Sequence, residues 1–168
     1  WAYFINGGVG NALNLIKYAS YLLGQEASWK EPAPLLKAGL YWPLLQYPRL
    51  EELKESWIGG NKVALITFYR ALVTSGNLKP IDALIKRLLQ QGINPLPVYV
   101  SSLKDQYSDA FIKELTEKLD ISVVLNTTAF AISSTESPGK AGPFRKTDCP
   151  VFQLILSSSE KDTWLASP

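Results

Sequence analysis

The chain reads as an α/β protein: a doubly wound, mostly parallel sheet of four strands or slightly more, with flanking helices and a flavodoxin-like or Rossmann-like strand order. Three observations predict this. Val63 to Phe68 is a short, near-continuous apolar run rich in β-branched residues, as a strand buried on both faces requires. From Ile81 the pattern turns helical, because Ile81, Leu84, Ile85, Leu88 and Leu89 recur at the i, i+3, i+4, i+7, i+8 spacing of one apolar face. Leu96 to Val100 then returns to a strand pattern. Strand, crossover helix and strand make a βαβ unit, whose strands run parallel.

Taken in order, Trp1 to Ile5 is an apolar stub and Asn6-Gly-Gly-Val-Gly10 is a turn that opens a helix. Ala12, Leu15, Ile16, Ala19, Leu22 and Leu23 form the apolar face of that helix, and Gly24 closes it. A glycine-rich turn ahead of a helix is the setting of a dinucleotide-binding fingerprint. Here Leu13 stands where the third glycine belongs and the preceding strand is too short, so a plain helix-start turn is expected. Gln25 to Pro34 is a polar, proline-containing connector, and Leu40-Tyr-Trp-Pro43 leads through a loop at Pro48 to a short helix, Leu50 to Trp57, ended by Gly59-Gly60. Tyr41, Trp42 and Tyr47 read as packing residues rather than as a stacking platform. Residues 1–60 are thus expected to form a helical segment packed on an α/β domain of residues 61–168.

Within the βαβ unit, Pro80 suits the first helical turn, where a missing N–H costs nothing, and Gly92 suits the left-handed position just past the helix. A second helix runs from about Asp109 to Leu119, with Phe111, Ile112, Leu115 and Leu119 on one face and Lys113, Glu114, Glu117 and Lys118 on the solvated one. Ile121 to Leu125 is the third strand, followed directly by Asn126-Thr127-Thr128. Ala131 to Asp148 is a loop rich in Ser, Pro and Gly, of a length that usually has a function. Val151 to Leu156 is the fourth strand, and Ser157 with Glu160 makes a capping box for a last helix carrying Trp164.

Composition excludes several classes. At 168 residues and 46% hydrophobic the chain can bury a core, and its five Trp argue against disorder. A net charge of +2 lacks the clustered Lys and Arg of a general nucleic-acid binder. No apolar run approaches the roughly 20 residues of a membrane span, and no secretory signal is evident. With no histidine, a Ser-His-Asp triad, a Cys-His dyad and a His-ligated zinc site cannot form within this chain. The single cysteine, Cys149, cannot form an intrachain disulfide and reads as a small buried thiol at a strand start. Because the sequence opens on Trp1 and holds no Met, it is expected to be a piece of a longer protein.

In open parallel sheets ligands bind beyond the carboxyl ends of the strands, where strand order reverses. With the first strand central, that point lies between the loops after the first and third strands. These carry Tyr69, Arg70, Thr74 and Ser75 on one side and Asn126, Thr127, Thr128 and Phe130 on the other. Arg70, just past a buried strand end, can meet a ligand carboxylate bidentately; a pair with a carboxylate of the chain, such as Asp105 or Glu136, is the other reading. Gly139-Lys140 is not a phosphate loop, because Ala141 replaces the required Ser or Thr and Ser134 the first glycine. No Asp or Glu cluster has metal-ligand spacing; Glu51, Glu52 and Glu55 form the solvated side of a helix.

Several strings come in a family's order: Ala38-Gly-Leu-Tyr-Trp-Pro43, Phe68-Tyr-Arg-Ala71 with Ser75-Gly76, Pro80-Ile-Asp-Ala83, Asn94-Pro-Leu-Pro-Val98, Ser101-Ser-Leu-Lys104 and Asn126-Thr-Thr-Ala-Phe-Ala131. In these the chain resembles the CobN family, the large subunits of aerobic cobaltochelatase, which are related to the H subunit of magnesium chelatase. The resemblance covers nearly the whole chain and is firmest from Gly39 to Trp164. Arg70 falls where both relatives carry an arginine after the first strand, and Thr128 and Phe130 match the string after the third. Tyr69 to Ala71 and the Ser101-Ser-Leu run resemble the cobalt enzyme more than the magnesium enzyme.

The resemblance implies a segment from the N-terminal half of a cytoplasmic enzyme, a ligase forming nitrogen–metal bonds. That enzyme inserts Co²⁺ into hydrogenobyrinic acid a,c-diamide in cobalamin synthesis, with ATP hydrolysed by separate AAA+ partner subunits. Cobalt and corrinoid are then substrates of the parent enzyme, and this segment binds no cofactor and no metal of its own. It implies no catalytic residue here; Arg70, Asn126 and Thr128 are the expected binding groups, with Tyr69, Thr127 and Phe130 beside them. The expected partners are the remaining domains of the parent chain, the AAA+ subunits and the tetrapyrrole or corrin, and the isolated segment is expected to be inactive. The alternatives are a magnesium chelatase H subunit binding protoporphyrin, and a non-catalytic module that docks other domains through its sheet edge or its long loop.

Overall fold

The apolar run beginning at Val63 becomes the centre of a five-stranded sheet. The computed structural model describes residues 1–45, 47–128, 143–144, 147–157 and 161–166. Its elements run α1 (Ala2–Asn6), α2 (Val9–Leu22), β1 (Ala38–Leu40), α3 (Leu50–Lys54), β2 (Val63–Tyr69) and α4 (Arg70–Ser75). There follow α5 (Lys79–Gln90), β3 (Asn94–Val100), α6 (Gln106–Lys118), β4 (Ile121–Asn126), β5 (Val151–Gln153) and α7 (Lys161–Leu165).

The strand order is β1-β3-β2-β4-β5. β2 lies parallel to β3 on one side and to β4 on the other, and β4 is parallel to β5. The four parallel strands therefore have the flavodoxin-like order, with the first of them central and the switch point between β2 and β4.

Side-chain alternation along β2 and β3 sorts the core into two layers. Val63 and Leu65 of β2 meet Leu96, Val98 and Val100 of β3, Leu53 of α3, and Ile112 and Leu115 of α6 on one face. Ala64, Ile66 and Phe68 meet Ile81, Ile85 and Leu88 of α5 on the other. The apolar faces expected for α5 and α6 are thus the buried ones. Pro80 sits in the first turn of α5, and Gly92 takes a left-handed φ of 69° just past its end. Asp105 caps α6 by accepting from the N–H groups of Tyr107 and Ser108.

The prolines of β3 explain the sheet's other edge. Asn94 donates its N–H to Lys62 on the β2 side, so Pro95 and Pro97 turn their missing donors away from β2. On that side the Pro95 carbonyl accepts from the Trp57 indole at 3.0 Å and the Pro97 carbonyl from the Tyr41 N–H at 3.0 Å. β1 completes this edge, antiparallel to β3, with Gly39 opposite Tyr99.

Several expectations are corrected. β1 has no counterpart in the sequence reading, since three residues with a central glycine are too short for a periodic signal. The stub before the first turn is the one-turn helix α1, and Arg70 opens the helix α4, ended by Gly76 at φ 71°, where a loop was expected. The helix from Leu50 stops at Lys54 and the last strand at Gln153. Within the long loop only Pro143, Phe144, Thr147 and Asp148 are described; Phe144 is buried in the α6 layer, against which Cys149 also packs. Glu160 of the expected capping box lies outside the described residues. Among the described residues no helix is long and apolar enough to cross a membrane.

Candidate functional site

At the carboxyl ends of β2 and β4, the sequence-predicted residues fall into two groups. Asn126, fully buried, ends β4 and knots three strands together. Its Oδ1 accepts from the Thr67 hydroxyl at 2.8 Å, from the Thr128 hydroxyl at 2.8 Å and from the Thr128 N–H at 3.1 Å. Its Nδ2 donates to Gln153 Oε1 of β5 at 2.9 Å. Thr127 donates both its N–H, at 2.8 Å, and its hydroxyl, at 2.9 Å, to the Thr67 carbonyl. The polar atoms of this group thus hold the protein to itself, as buried polar groups must. Phe130 and Glu136 lie outside the described residues.

Tyr69 and Arg70 are half-buried where β2 passes into α4. The Arg70 Nη1 donates to the Leu35 carbonyl at 3.0 Å. Asp105, one expected partner, pairs with Lys37 at 3.1 Å, and no ion pair among the described residues involves Arg70. A guanidinium in the first turn of a helix gains nothing from the helix dipole. It keeps donors to offer an anion.

Beside Arg70, on the β3 side, lies a cavity of about 380 Å³. Its walls are largely apolar, from Leu35, Leu40, Tyr41, Trp42, Val73 and Leu78, and the Gly7–Gly10 turn forms one end. Tyr99 lines it too, with its ring laid over Gly39; a Cβ at that position would sit 2.7 Å from the Tyr99 Cζ. Burial pushes the Tyr99 phenol up to about 12; the charge of Tyr47 adds to this and that of Arg70 opposes it. Tyr41 donates to Asp82 at 2.6 Å, and burial together with that bond raises its pKa as well. Both phenols are protonated near neutral pH. On the rim, Leu44 and Tyr47 adopt left-handed φ values of 68° and 55°, a costly backbone for residues other than glycine.

None of the described sequence-predicted residues lines this cavity; Arg70 meets it through its bond to the Leu35 carbonyl. Tyr41, Trp42 and Tyr47 do line it, besides packing. Their clustering was the available signal, but the pairing of Gly39 with Tyr99, which lets the Tyr99 ring lie over the glycine, appears only with the strand register. The Gly7–Gly10 turn is a helix-start turn, since the Gly8 N–H donates to the Thr74 carbonyl at 3.1 Å and Gly7 packs on the Thr74 side chain. Among the described residues no three His, Cys, Asp or Glu gather as metal ligands. Aromatic walls and protonated phenols, with the Arg70 guanidinium bonded to the wall residue Leu35, have the chemistry to accommodate an apolar group with a polar or anionic edge.

A sequence model described as CobN/Magnesium Chelatase matches residues 1–168. The chain belongs to the CobN/magnesium chelatase family. Aerobic cobaltochelatase subunit CobN of a Sinorhizobium species is 38% identical across all of this chain, which covers 14% of that family member. The CobN subunit of Pseudomonas aeruginosa is 36% identical, again across the whole chain and 13% of its own length. The solved catalytic subunit of cobaltochelatase from Mycobacterium tuberculosis matches with a TM-score of 0.72 at 20% identity, over 98% of this chain and 14% of that one. At that identity the likeness is one of fold.

Proposed function

We propose that this chain is a segment of the large subunit of an aerobic cobaltochelatase, the enzyme that inserts Co²⁺ into a corrin precursor, hydrogenobyrinic acid a,c-diamide, during cobalamin synthesis in the cytoplasm. The observation that carries this reading is the match of the whole of residues 1–168 to two CobN subunits at 38% and 36% identity. Cobalt and the corrinoid are substrates of the parent enzyme. ATP hydrolysis is assigned to separate AAA+ subunits, in keeping with the failed phosphate-loop pattern at Gly139-Lys140.

In this reading the segment binds and positions. Carboxylate and amide groups rim a corrinoid, and Arg70 meets one of them with the donors it does not give to Leu35, while the aromatic walls beside it exclude water. Tyr69 flanks that contact. Asn126, Thr127 and Thr128 act by holding the strand ends in register, and no group here is assigned as acid or base.

The test uses the full-length subunit with its ATPase partners, following cobalt insertion by corrinoid absorbance. Arg70→Gln is expected to raise the KM for the corrin about tenfold or more with kcat little changed, the signature of lost binding. An unchanged KM removes Arg70 from the substrate site. The segment alone, mixed with corrin and Co²⁺, is expected to form no product; a spectrum unaltered at high protein concentration would further exclude direct binding by the segment in isolation.

A further inference from the structure

The second helix is turned with its polar face toward the protein. Asn11 donates to the Gly7 and Ala33 carbonyls, each at 2.8 Å, and accepts from the Ala33 N–H at 3.0 Å. Asn14 accepts from the Lys30 N–H at 2.9 Å, and the Tyr18 ring meets Trp29 edge-on with centroids 4.7 Å apart. These contacts fix the rotation of α2, because turning its other face inward would break them and leave the Lys30 N–H and the Ala33 N–H and carbonyl without these partners.

The face left outside is apolar. Val9, Leu13, Ile16 and Leu23 are 68%, 50%, 65% and 80% exposed, and their i, i+4, i+7, i+14 spacing makes one stripe. From Trp1 to Gln25 the only charged residue is Lys17. Depletion of charge belongs to the core of a permanent interface, whereas surfaces that meet transient partners carry charge for steering and specificity. A segment of the same polypeptide needs no steering, since tethering gives it a high effective concentration.

Resting on the reading that this chain is one segment of a larger subunit, we infer that the α2 stripe docks against an apolar face of the parent polypeptide outside residues 1–168. The chain covers 14% of the Sinorhizobium relative and 14% of the solved mycobacterial chain, so most of such a subunit is available to cover it. A second copy of the chain and a separate ATPase subunit are the other occupants.

The test places photoreactive benzoylphenylalanine at Ile16 of the full-length subunit, with a control at Lys86 on the exposed side of α5. A third variant carries the probe at Ala12, exposed beside the stripe, in case the Ile16 variant does not fold. After irradiation, peptide mapping is expected to give adducts from position 16 or 12 to peptides of the same chain outside this segment, in a yield unaffected by dilution, and few from position 86. Adducts only to a second copy or to another subunit, or a yield no higher than at position 86, overturn the inference. Cobalt insertion is assayed on the unsubstituted subunit in parallel. A subunit that inserts cobalt but gives only intermolecular adducts refutes the docking and leaves the proposed function standing. Intrachain adducts in a subunit without chelatase activity do the reverse.

Discussion

Two helices of this molecule have similar amphipathic patterns and opposite fates. In α6 the apolar residues Ile112 and Leu115 are buried against the sheet, while Lys113 pairs with Asp109 and Lys118 with Glu114 along the outside. In α2 the apolar stripe faces outward and two asparagines face in. The difference lies in what each helix has to pack on. α6 is a crossover helix lying on a twisted sheet whose strands offer Leu65, Val98 and Val124. α2 lies off the sheet, against α1, α4, the Trp29 ring and the irregular backbone of residues 30–33, whose N–H and carbonyl groups need hydrogen-bond partners rather than apolar area. A helix's apolar face says that something covers it, and chain context decides whether the cover lies within the segment.

The sharpest way to break this comparison is to exchange the same substitution between the two helices. Ile112→Asp puts a charge into a fully buried site and is expected to destabilise the segment by about 4 kcal/mol or more, enough to unfold it. Ile16→Asp is expected to change its stability by less than about 0.5 kcal/mol, because the side chain already meets water. Urea unfolding followed by circular dichroism measures both. Equal losses would mean that the α2 stripe is covered within the segment itself.

The buried asparagines sharpen the same contrast. Asn126→Leu removes the acceptor of the Thr67 and Thr128 hydroxyls and the donor to Gln153, leaving buried hydroxyls unpaired at the end of the sheet, for an expected loss of about 2–4 kcal/mol. Asn11→Leu removes its contacts to Ala33 at a more accessible helix and is expected to cost about 1–2 kcal/mol. A reversed order would show that the Asn11 contacts, and not the knot at Asn126, dominate. A third change probes the cavity wall. Gly39→Ala forces a methyl onto the Tyr99 ring, with an expected cost of about 1–3 kcal/mol that Tyr99→Ala relieves in the double variant. Additive losses would separate the two residues.

The parts legible from sequence are those where one period runs long enough to be counted. Ile81, Ile85 and Leu88 of α5, and Ile112 and Leu115 of α6, declare their buried face, and the apolar strand around Leu65 declares its central place. β1 is three residues long, and its placement depends on Gly39 meeting Tyr99 across the sheet, a contact that no local pattern carries. The candidate site divides the same way. Arg70 was visible as a cation past a buried strand, but the cavity beside it is built from residues as far apart as Gly7 and Tyr99, whose proximity is a property of the fold. Asn126 and Thr128 were visible as polar residues at a strand end, and only the register with β5 brings Gln153 to them.

The smallest expected effect concerns the N-terminus of α6, where an ion pair fastens this helix to the segment before β1. The Asp105 carboxyl lies below the usual range, first because the Lys37 ammonium donates to it, then because the N–H groups of Tyr107 and Ser108 do; partial burial works against them. Lys37 precedes β1, so the pair ties the sheet edge to α6, and its ammonium also stands 4.8 Å from the Tyr107 ring centroid. A pKa lower in the folded state than in the unfolded one, about 3.9 for an aspartate, gives a stabilisation complete above that value and lost as pH falls through the lowered one. The difference in melting temperature between the wild type and Asp105→Asn should therefore stay constant from about pH 7 to pH 5 and shrink as the solution is made more acidic than about pH 4. Asparagine keeps one oxygen to accept from the Tyr107 and Ser108 N–H groups, but sets an NH2 donor where the carboxylate accepted from Lys37, so the charge and that bond are lost together. A difference that persisted undiminished at about pH 2 would assign the fastening to hydrogen-bond geometry rather than to charge.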